Sequence, residues 1–408
     1  MAVQLPQPIR LVLLVASPIP YQIPLYRHLA NEPRLDFTVV YASSGGLRPT
    51  EAGYAKPIAW DGDLLSGYDH TFLKRAHANP IGGNFFSLRD IDVVSILRKL
   101  RPEVLWVFSY PYLTHLLGVL SQRLARVPVL LREDQTRLHP RQAWKEVIKK
   151  VIFASLFAGQ RGLYVGIESR RWFEYYGFAN EKLYFTPYSC DNAGFRAVHQ
   201  LLRGQKEGLC ADFGIGGDAP VILSVSRLID KKQPLMLLEA FRLTRSRARC
   251  SLLIVGTGPL EQAMRRKVEA ELIPDVVFAG FLNQSQIGRA YAASDVFALM
   301  SREHETWGMV VNEAMNFGLP IVVSDKVGSA SDLVRSGVNG YVVPFDSAAT
   351  MSERLTELVT HPSRRIAFGR ASEELVLAYN YESDVAAIIS AVADAVGPWR
   401  WQRSLATN

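Results

Sequence analysis

Hydrophobic residues along this chain fall into short continuous runs separated by stretches with helical spacing. The first run, IRLVLLVAS, is followed by a proline-rich loop and by LYRHLANE, which patterns as a helix. DFTVVYAS, EVLWVFS and VPVLLRE come next, with helical patterns between and after them. LYVGIESRRWFEYYGF then reads as a strand and helix, and KLYFTPYSCD as a closing strand and turn. Residues 45–83, rich in Gly, Pro and Asp, read as long surface loops. Apolar periodicity fades between about Ala197 and Ala219 and then restarts with PVILSVS, CSLLIVG, DVVFAGF, SDVFALM, LPIVVS and GYVVPF. Uninterrupted apolar strands alternating with helices predict parallel sheets covered on both faces.

A chain of 408 residues exceeds what one core usually organises, so two successive doubly wound α/β domains are expected. Their expected bounds are 1–195 and 196–377. Residues 378–408 are left as a C-terminal helix (YESDVAAIISAVADAV) and tail, with packing back on the first domain as one option.

Composition changes this picture little, with 48% hydrophobic and 21% charged residues. No apolar run approaches the roughly 20 residues of a membrane helix. LVLLVA is too short for a signal peptide, and the expected location is the cytoplasm. Cys190, Cys210 and Cys250 are odd in number and show neither disulfide nor metal spacing, which favours buried thiols. Charge does add something. The net is +8 over residues 1–199 and −1 beyond, so an anionic partner is expected for the first domain.

Three stretches of the second half can carry chemistry. In VILSVSRLIDKKQP a buried strand ends near Arg227, and Lys232 precedes Pro234 at the start of a helix. Two cations at the C-terminal edge of a strand, beside a helix N-terminus, suit a diphosphate, although a solvated basic loop fits the same spacing. In SLLIVGTGP, Gly256 and Gly258 allow close approach of a ligand or merely a tight turn. In SREHETWGMVVNEAMNFGLP, Thr306 is the expected N-cap of a helix ended by Gly318 and Pro320. Eight helical steps from Glu305 to Glu313 would span about 12 Å. That is too far for the carboxylate pair of a retaining hydrolase, which sits about 5 Å apart. The spacing suits two hydroxyl-rich parts of one elongated ligand.

Together, Arg227 and Lys232 after the first strand, the GTGP turn, and Glu305 followed by Trp307-Gly308 and Glu313 resemble glycosyltransferase family 4. The stretches GIESRRWFEYYGFANEKLYFTPYSCDNAGF and AMNFGLPIVVSDKVGSASDLVRSGVNGYVVP strengthen the resemblance, which covers most of residues 160–385. It implies a GT-B fold, two Rossmann-like doubly wound domains facing a cleft. It also implies a retaining enzyme that moves a sugar from a nucleotide-diphosphate sugar to an acceptor. Arg227 and Lys232 would hold the diphosphate and stabilise the leaving group. Glu305 would orient the donor sugar, and main-chain N–H groups of Thr306, Trp307, Gly308 and Met309 would bind sugar or phosphate oxygens. Glu313 would accept from the ribose hydroxyls, Gly256 would border the donor, and main chain near Phe281 and Leu282 would border the base. No cofactor or metal is obligatory in this scheme, and no nucleic acid is expected. The acceptor would be a glycan, a lipid-linked sugar or a small molecule, in cell-surface polysaccharide, glycolipid or other glycoconjugate synthesis.

The chain also departs from the family. Its first loop is SPIPYQIP, with Tyr21, instead of a glycine-rich turn, and REDQ (Arg132 to Gln135) stands where a first-domain histidine is common. Glu133, Asp134 and Tyr21 are the acceptor-side candidates, with exposed loop acids the plain alternative for the first two. His115 and His139 match no family position clearly, and Glu303 reads as an exposed loop acid. WDGD, with Asp61 and Asp63, reads as a surface loop. The helix within HPRQAWKEVIKKVIFASLF places Trp144, Val147, Ile148, Val151 and Ile152 on one face beside basic residues, a pattern shared by membrane-surface helices and ordinary domain helices. Rival functions are a nucleotide-sugar epimerase or phosphorylase on the same fold, a Rossmann dehydrogenase, and a nucleic-acid-binding protein. The missing third glycine counts against the dehydrogenase, and no binding module supports the nucleic-acid reading.

Overall fold

The structure is a computed structural model describing residues 7–47, 60–78, 84–138, 143–303 and 305–404. It contains two compact units. Met1–Pro49, Gly62–Tyr188 and Tyr381–Asn408 form the first, and Thr50–Asp61 with Ser189–Asn380 the second.

The first unit carries a seven-stranded parallel sheet. Its strands are β1 (Ile9–Val15), β2 (Leu35–Tyr41), β3 (Asp69–Phe72), β4 (Val104–Phe108), β5 (Val129–Glu133), β6 (Arg161–Tyr164) and β7 (Leu183–Phe185), in spatial order 3-2-1-4-5-6-7. Register is set early, with Leu11 opposite Phe37 on β2 and opposite Val104 on β4. One core face joins Val12, Leu14, Leu105, Val107 and Leu131 to Phe153, Trp172 and Phe173 from covering helices. Helix Tyr381–Val396 belongs to this unit and packs against β6, β7 and helix Ile23–Ala30.

The second unit carries a six-stranded parallel sheet. Its strands are β8 (Val221–Val225), β9 (Ser251–Val255), β10 (Val276–Gly280), β11 (Val296–Leu299), β12 (Ile321–Ser324) and β13 (Gly340–Val343), in order 10-9-8-11-12-13. Ile222, Leu252, Ile254, Ala298 and Val322 pack on Phe241 and Leu355 of its helices. Both sheets reverse strand order once, between β1 and β4 and between β8 and β11. Such reversals open crevices at the C-terminal strand ends, where α/β folds place their ligands.

Four expectations need correction. Residues 45–83 are not all loop, because DHTF forms edge strand β3, whose polar residues pair only with β2. The stretch where periodicity fades holds helices Asn192–Leu202 and Lys206–Asp212, both largely solvated. The units change at 188/189 and 380/381, and Trp60 and Asp61 fall in the second unit. Finally, the helical stretch Pro362–Val396 is long and apolar enough, by length and composition, to cross a membrane. A 3-10 turn at Val376–Ala378 interrupts it, and Asp384 within it is buried against Arg132.

Candidate functional site

In the second unit, the loops after β8 and β11 meet at the strand reversal. β8 ends just before Ser226, whose N–H donates to the Val255 carbonyl at 3.0 Å, and Arg227 follows, half-buried. Lys232 closes a 3-10 turn, Asp230–Lys232. Gln233 then takes a left-handed φ of 44°, and Pro234 opens helix Pro234–Arg245. The proline fixes φ where a helix must start and lacks an N–H that would have no partner there. The Arg302 N–H donates to the Lys231 carbonyl at 2.9 Å and its guanidinium pairs with Asp230 at 2.9 Å, which ties the two loops together.

Glu305 is nearly buried at the centre of this junction. Its carbonyl accepts from the Gly328 N–H at 3.0 Å, and one carboxylate oxygen, Oε2, accepts from Ser301 Oγ at 3.0 Å. The same oxygen pairs with Lys232 Nζ. Burial, then the nearby cations Lys231 and Arg227, push the Lys232 ammonium down to about 7. The Glu305 carboxylate acts in the opposite sense. Glu303 lies beside Arg302 at the rim. Ser301 has no sequence signal of its own, as a serine at a strand end, and only its spacing of four from Glu305 points to it.

Thr306 is not an N-cap. The helix begins at Val310, with Met309 before it and no side-chain cap. Gly308 at φ 92° turns the intervening chain, and a Cβ there would press on Val327 at 3.1 Å. The path from Glu305 to Glu313 is therefore only partly helical, and the 12 Å expectation does not apply. Trp307 is buried; its Nε1–H donates to Asn312 Oδ1 at 2.8 Å and its ring lies 5.8 Å from Tyr379. It anchors the segment in the core.

Glu313 accepts a hydrogen bond from the Tyr291 hydroxyl at 2.7 Å. Desolvation raises its carboxyl above the usual range, and the tyrosine bond partly offsets this. Gly256 has a packing reason for its identity: at φ 126°, a Cβ would fall 2.0 Å from the Ser226 carbonyl oxygen. The GTGP turn thus clamps the loop that carries Arg227. Phe281 and Leu282 follow β10, half-buried, and the Trp60 ring meets Phe281 at 6.3 Å. Asp61 accepts from the Ser285 N–H at 3.0 Å and from its hydroxyl, whereas Asp63 accepts from the Leu65 and Ser66 N–H groups. The two carboxylates of WDGD therefore serve different turns. Among the described residues, no group of three His, Cys, Asp or Glu is placed to hold a metal ion.

In the first unit, Tyr21 follows β1, and its hydroxyl lies 3.2 Å from that of Tyr188. Burial raises the Tyr188 phenol well above its ordinary value, and Tyr21 and the Asp134 carboxylate push the same way. Glu133 is no exposed loop acid: it ends β5 fully buried, and its carbonyl accepts from Ser169 Oγ at 2.6 Å. Asp134 is half-buried. Arg132 points inward, between the rings of Trp106, Phe108 and Tyr188, and pairs with Asp384 at 2.9 Å. His115 is fully buried and held neutral by desolvation, its pKa down to about 3, which removes it as a proton carrier at neutral pH. His139 lies outside the described residues. Helix Ala143–Leu156 buries Phe153 and leaves Trp144, Val147, Ile148 and Val151 exposed. Ile152 is half-buried, and Lys149 lies over the Trp172 and Tyr176 rings.

Residues 206–375 match the family model of the glycosyl transferases group 1. A GDP-mannose-dependent monoacylated alpha-(1-6)-phosphatidylinositol monomannoside mannosyltransferase of Corynebacterium glutamicum is 32% identical over 165 residues. That match covers 39% of this chain and 42% of the relative, so it spans less than half of either. The amylovoran biosynthesis glycosyltransferase AmsK of Erwinia amylovora is 28% identical over 70% of this chain and 69% of its own length. The structure of Anabaena HepE in complex with UDP and glucose superposes with a TM-score of 0.67. It covers 95% of this chain and all of HepE at 16% identity, which establishes a shared GT-B fold.

Proposed function

We propose that this chain, whose residues 206–375 match the group 1 glycosyl transferase model, is a member of that family and transfers a sugar, with retention at the anomeric carbon, from a nucleotide-diphosphate sugar to an acceptor in glycoconjugate synthesis. The observation that carries this reading is the convergence of Arg227, Lys232 and Glu305 where the β8 and β11 loops meet, with Glu313 on the helix that follows. Lys232 and Arg227 supply positive charge for the diphosphate as the bond to the sugar breaks. Glu305 exchanges its ammonium partner for the donor sugar once the diphosphate occupies Lys232. Glu313 keeps one oxygen on Tyr291 and offers its other acceptor sites to ribose hydroxyls. Tyr21 and Asp134 remain the acceptor-side candidates of the first unit, while Glu133 is too deeply buried to meet an acceptor.

The named relatives motivate the substrate classes to try first: GDP- and UDP-linked hexoses as donors, and lipid-linked or polysaccharide acceptors. A thermal-shift panel of nucleotide sugars tests the donor site. One donor is expected to raise the melting temperature of the wild type, and to raise it less in Lys232→Ala and Glu313→Ala. Equal stabilisation of all three proteins refutes the assignment.

A cytoplasmic location with peripheral attachment to anionic lipid is part of the same proposal, motivated by the exposed Trp144, Val147, Ile148 and Val151 beside Lys145 and Lys150. Vesicle sedimentation tests it, and adsorption that is indifferent to lipid charge and to salt counts against it.

A further inference from the structure

The first unit carries an open pocket apart from the site described above. It lies at the N-terminal end of the first sheet, beside the starts of β1 and β4, and offers about 630 Å³ open to solvent on one side. Its apolar lining comes from Val94 of helix Val93–Leu100, from Leu124 at the end of helix Leu113–Leu124 and from Val127, with Leu97 fully buried behind them. Leu124 is 78% exposed at the mouth.

Three arginines are among the lining residues, Arg10, Arg98 and Arg101, the last two with exposed side chains. Arg10 is held in place: its Nε–H donates to the Arg101 carbonyl at 2.8 Å and its Nη2 faces Glu103 at 3.6 Å. Glu103 is the only acid in contact with the group among the described residues, and Arg400 already grips both of its oxygens. Arg98 and Arg101 have no side-chain partner among the described residues. Arg101 also sits at φ 49°, ψ 57°, a left-handed conformation that glycine or asparagine would adopt at lower cost.

Two helix C-termini end here, and their partial negative charge opposes an anion. Three full positive charges outweigh two half charges, and one carboxylate shared with Arg400 does not restore neutrality. The remaining positive charge, set around an apolar floor, matches a ligand with one anionic end and one apolar end.

We propose that this pocket binds a small amphipathic anion, a phosphate or carboxylate head held by Arg98 and Arg101 with an apolar body against Val94, Leu124 and Val127. Planar guanidinium forks favour such oxyanions, and the walls favour an alkyl or ring body over a sugar. The site is independent of the donor reading, because every residue in it belongs to the first unit.

The test is titration calorimetry with octyl phosphate, below its micelle concentration, on the full chain and on the double variant Arg98→Gln/Arg101→Gln. Both side chains are exposed, so the melting temperature of the variant should match the wild type. Saturable binding to the wild type, weakened about tenfold or more in the variant, is expected. Octyl glucoside and inorganic phosphate, each offering half of the ligand, should bind the wild type at least about tenfold more weakly. Equal binding of octyl phosphate by both proteins, or equal binding of octyl glucoside and octyl phosphate, overturns the proposal. Sedimentation of both proteins with phosphatidic-acid vesicles separates the sources. Parallel loss in the variant assigns the head group to a lipid, and unchanged adsorption assigns it to a soluble anion.

Discussion

Each unit holds an ion pair away from solvent, and the two pairs differ in a way that separates architecture from chemistry. Arg132–Asp384 in the first unit is sealed, its side chains 4% and 1% exposed, with rings and carbonyls on the remaining sides. Lys232–Glu305 in the second unit keeps 13% and 12% exposure at the junction of two loops. A sealed pair serves to hold a helix against a sheet. A pair at a loop junction can part when something with more charge arrives.

The largest effect should come from breaking the sealed pair. Arg132→Ala leaves Asp384 buried and unpaired, and chemical denaturation should show a loss of about 3–5 kcal/mol at pH 8. Burial already lifts the Asp384 carboxyl to about 6 against an ordinary 3.8, with Arg132 opposing the rise. A raised folded pKa means its stability contribution is fullest below about 4 and is lost as pH rises through 6. The cost of Arg132→Ala should therefore shrink as pH is lowered from 8 to 5, and a cost that grows would contradict this account.

Breaking the reachable pair should act on transfer more than on folding. Lys232→Ala is expected to lower kcat/KM by about 100-fold, near 3 kcal/mol, with a smaller change in unliganded stability than Arg132→Ala. A rate within threefold of wild type would remove Lys232 from the donor site. The pH profile sharpens the contrast. With the ammonium near 7, affinity for a nucleoside diphosphate should fall as pH rises above that value, toward about tenfold per unit. Lys232→Arg should flatten the slope, because a guanidinium stays charged throughout. The smallest effect belongs to Tyr291→Phe. Losing one hydrogen bond to Glu313 should cost about 1 kcal/mol of stability and alter affinity for ribose-bearing ligands over 2′-deoxy ones.

The strands were legible in the sequence because parallel sheets bury both faces, so VILSV and SLLIV could be little else. β3 was not, because DHTF lies at an edge and needs no apolar face. The second-unit site was readable as spacing, since Arg227, Lys232 and Glu305 all follow strand ends. What spacing could not convey is the Lys232–Glu305 contact, which joins loops 73 positions apart. The role of Gly256 was equally hidden, because its neighbour is the Ser226 backbone carbonyl in the loop after β8. The start of the helix before Glu313 was misplaced because Thr306 satisfies a capping pattern while the chain continues through Gly308 before it can turn.

The first unit is assembled from both ends of the chain. Besides Asp384 on Arg132, the Arg400 guanidinium reaches the carbonyls of Gln7 and Pro8 and the Glu103 carboxylate. During synthesis, residues 1–188 therefore emerge with Arg132 lacking its counter-charge and with one side of β6 and β7 uncovered. Domains made at the ribosome ordinarily finish in order from the N-terminus. Here the order is inverted: the second unit can close on the ribosome, whereas the first must wait until about 190 further residues have been translated. A nascent chain stalled before residue 381 should be more open to protease in its first half than in its second.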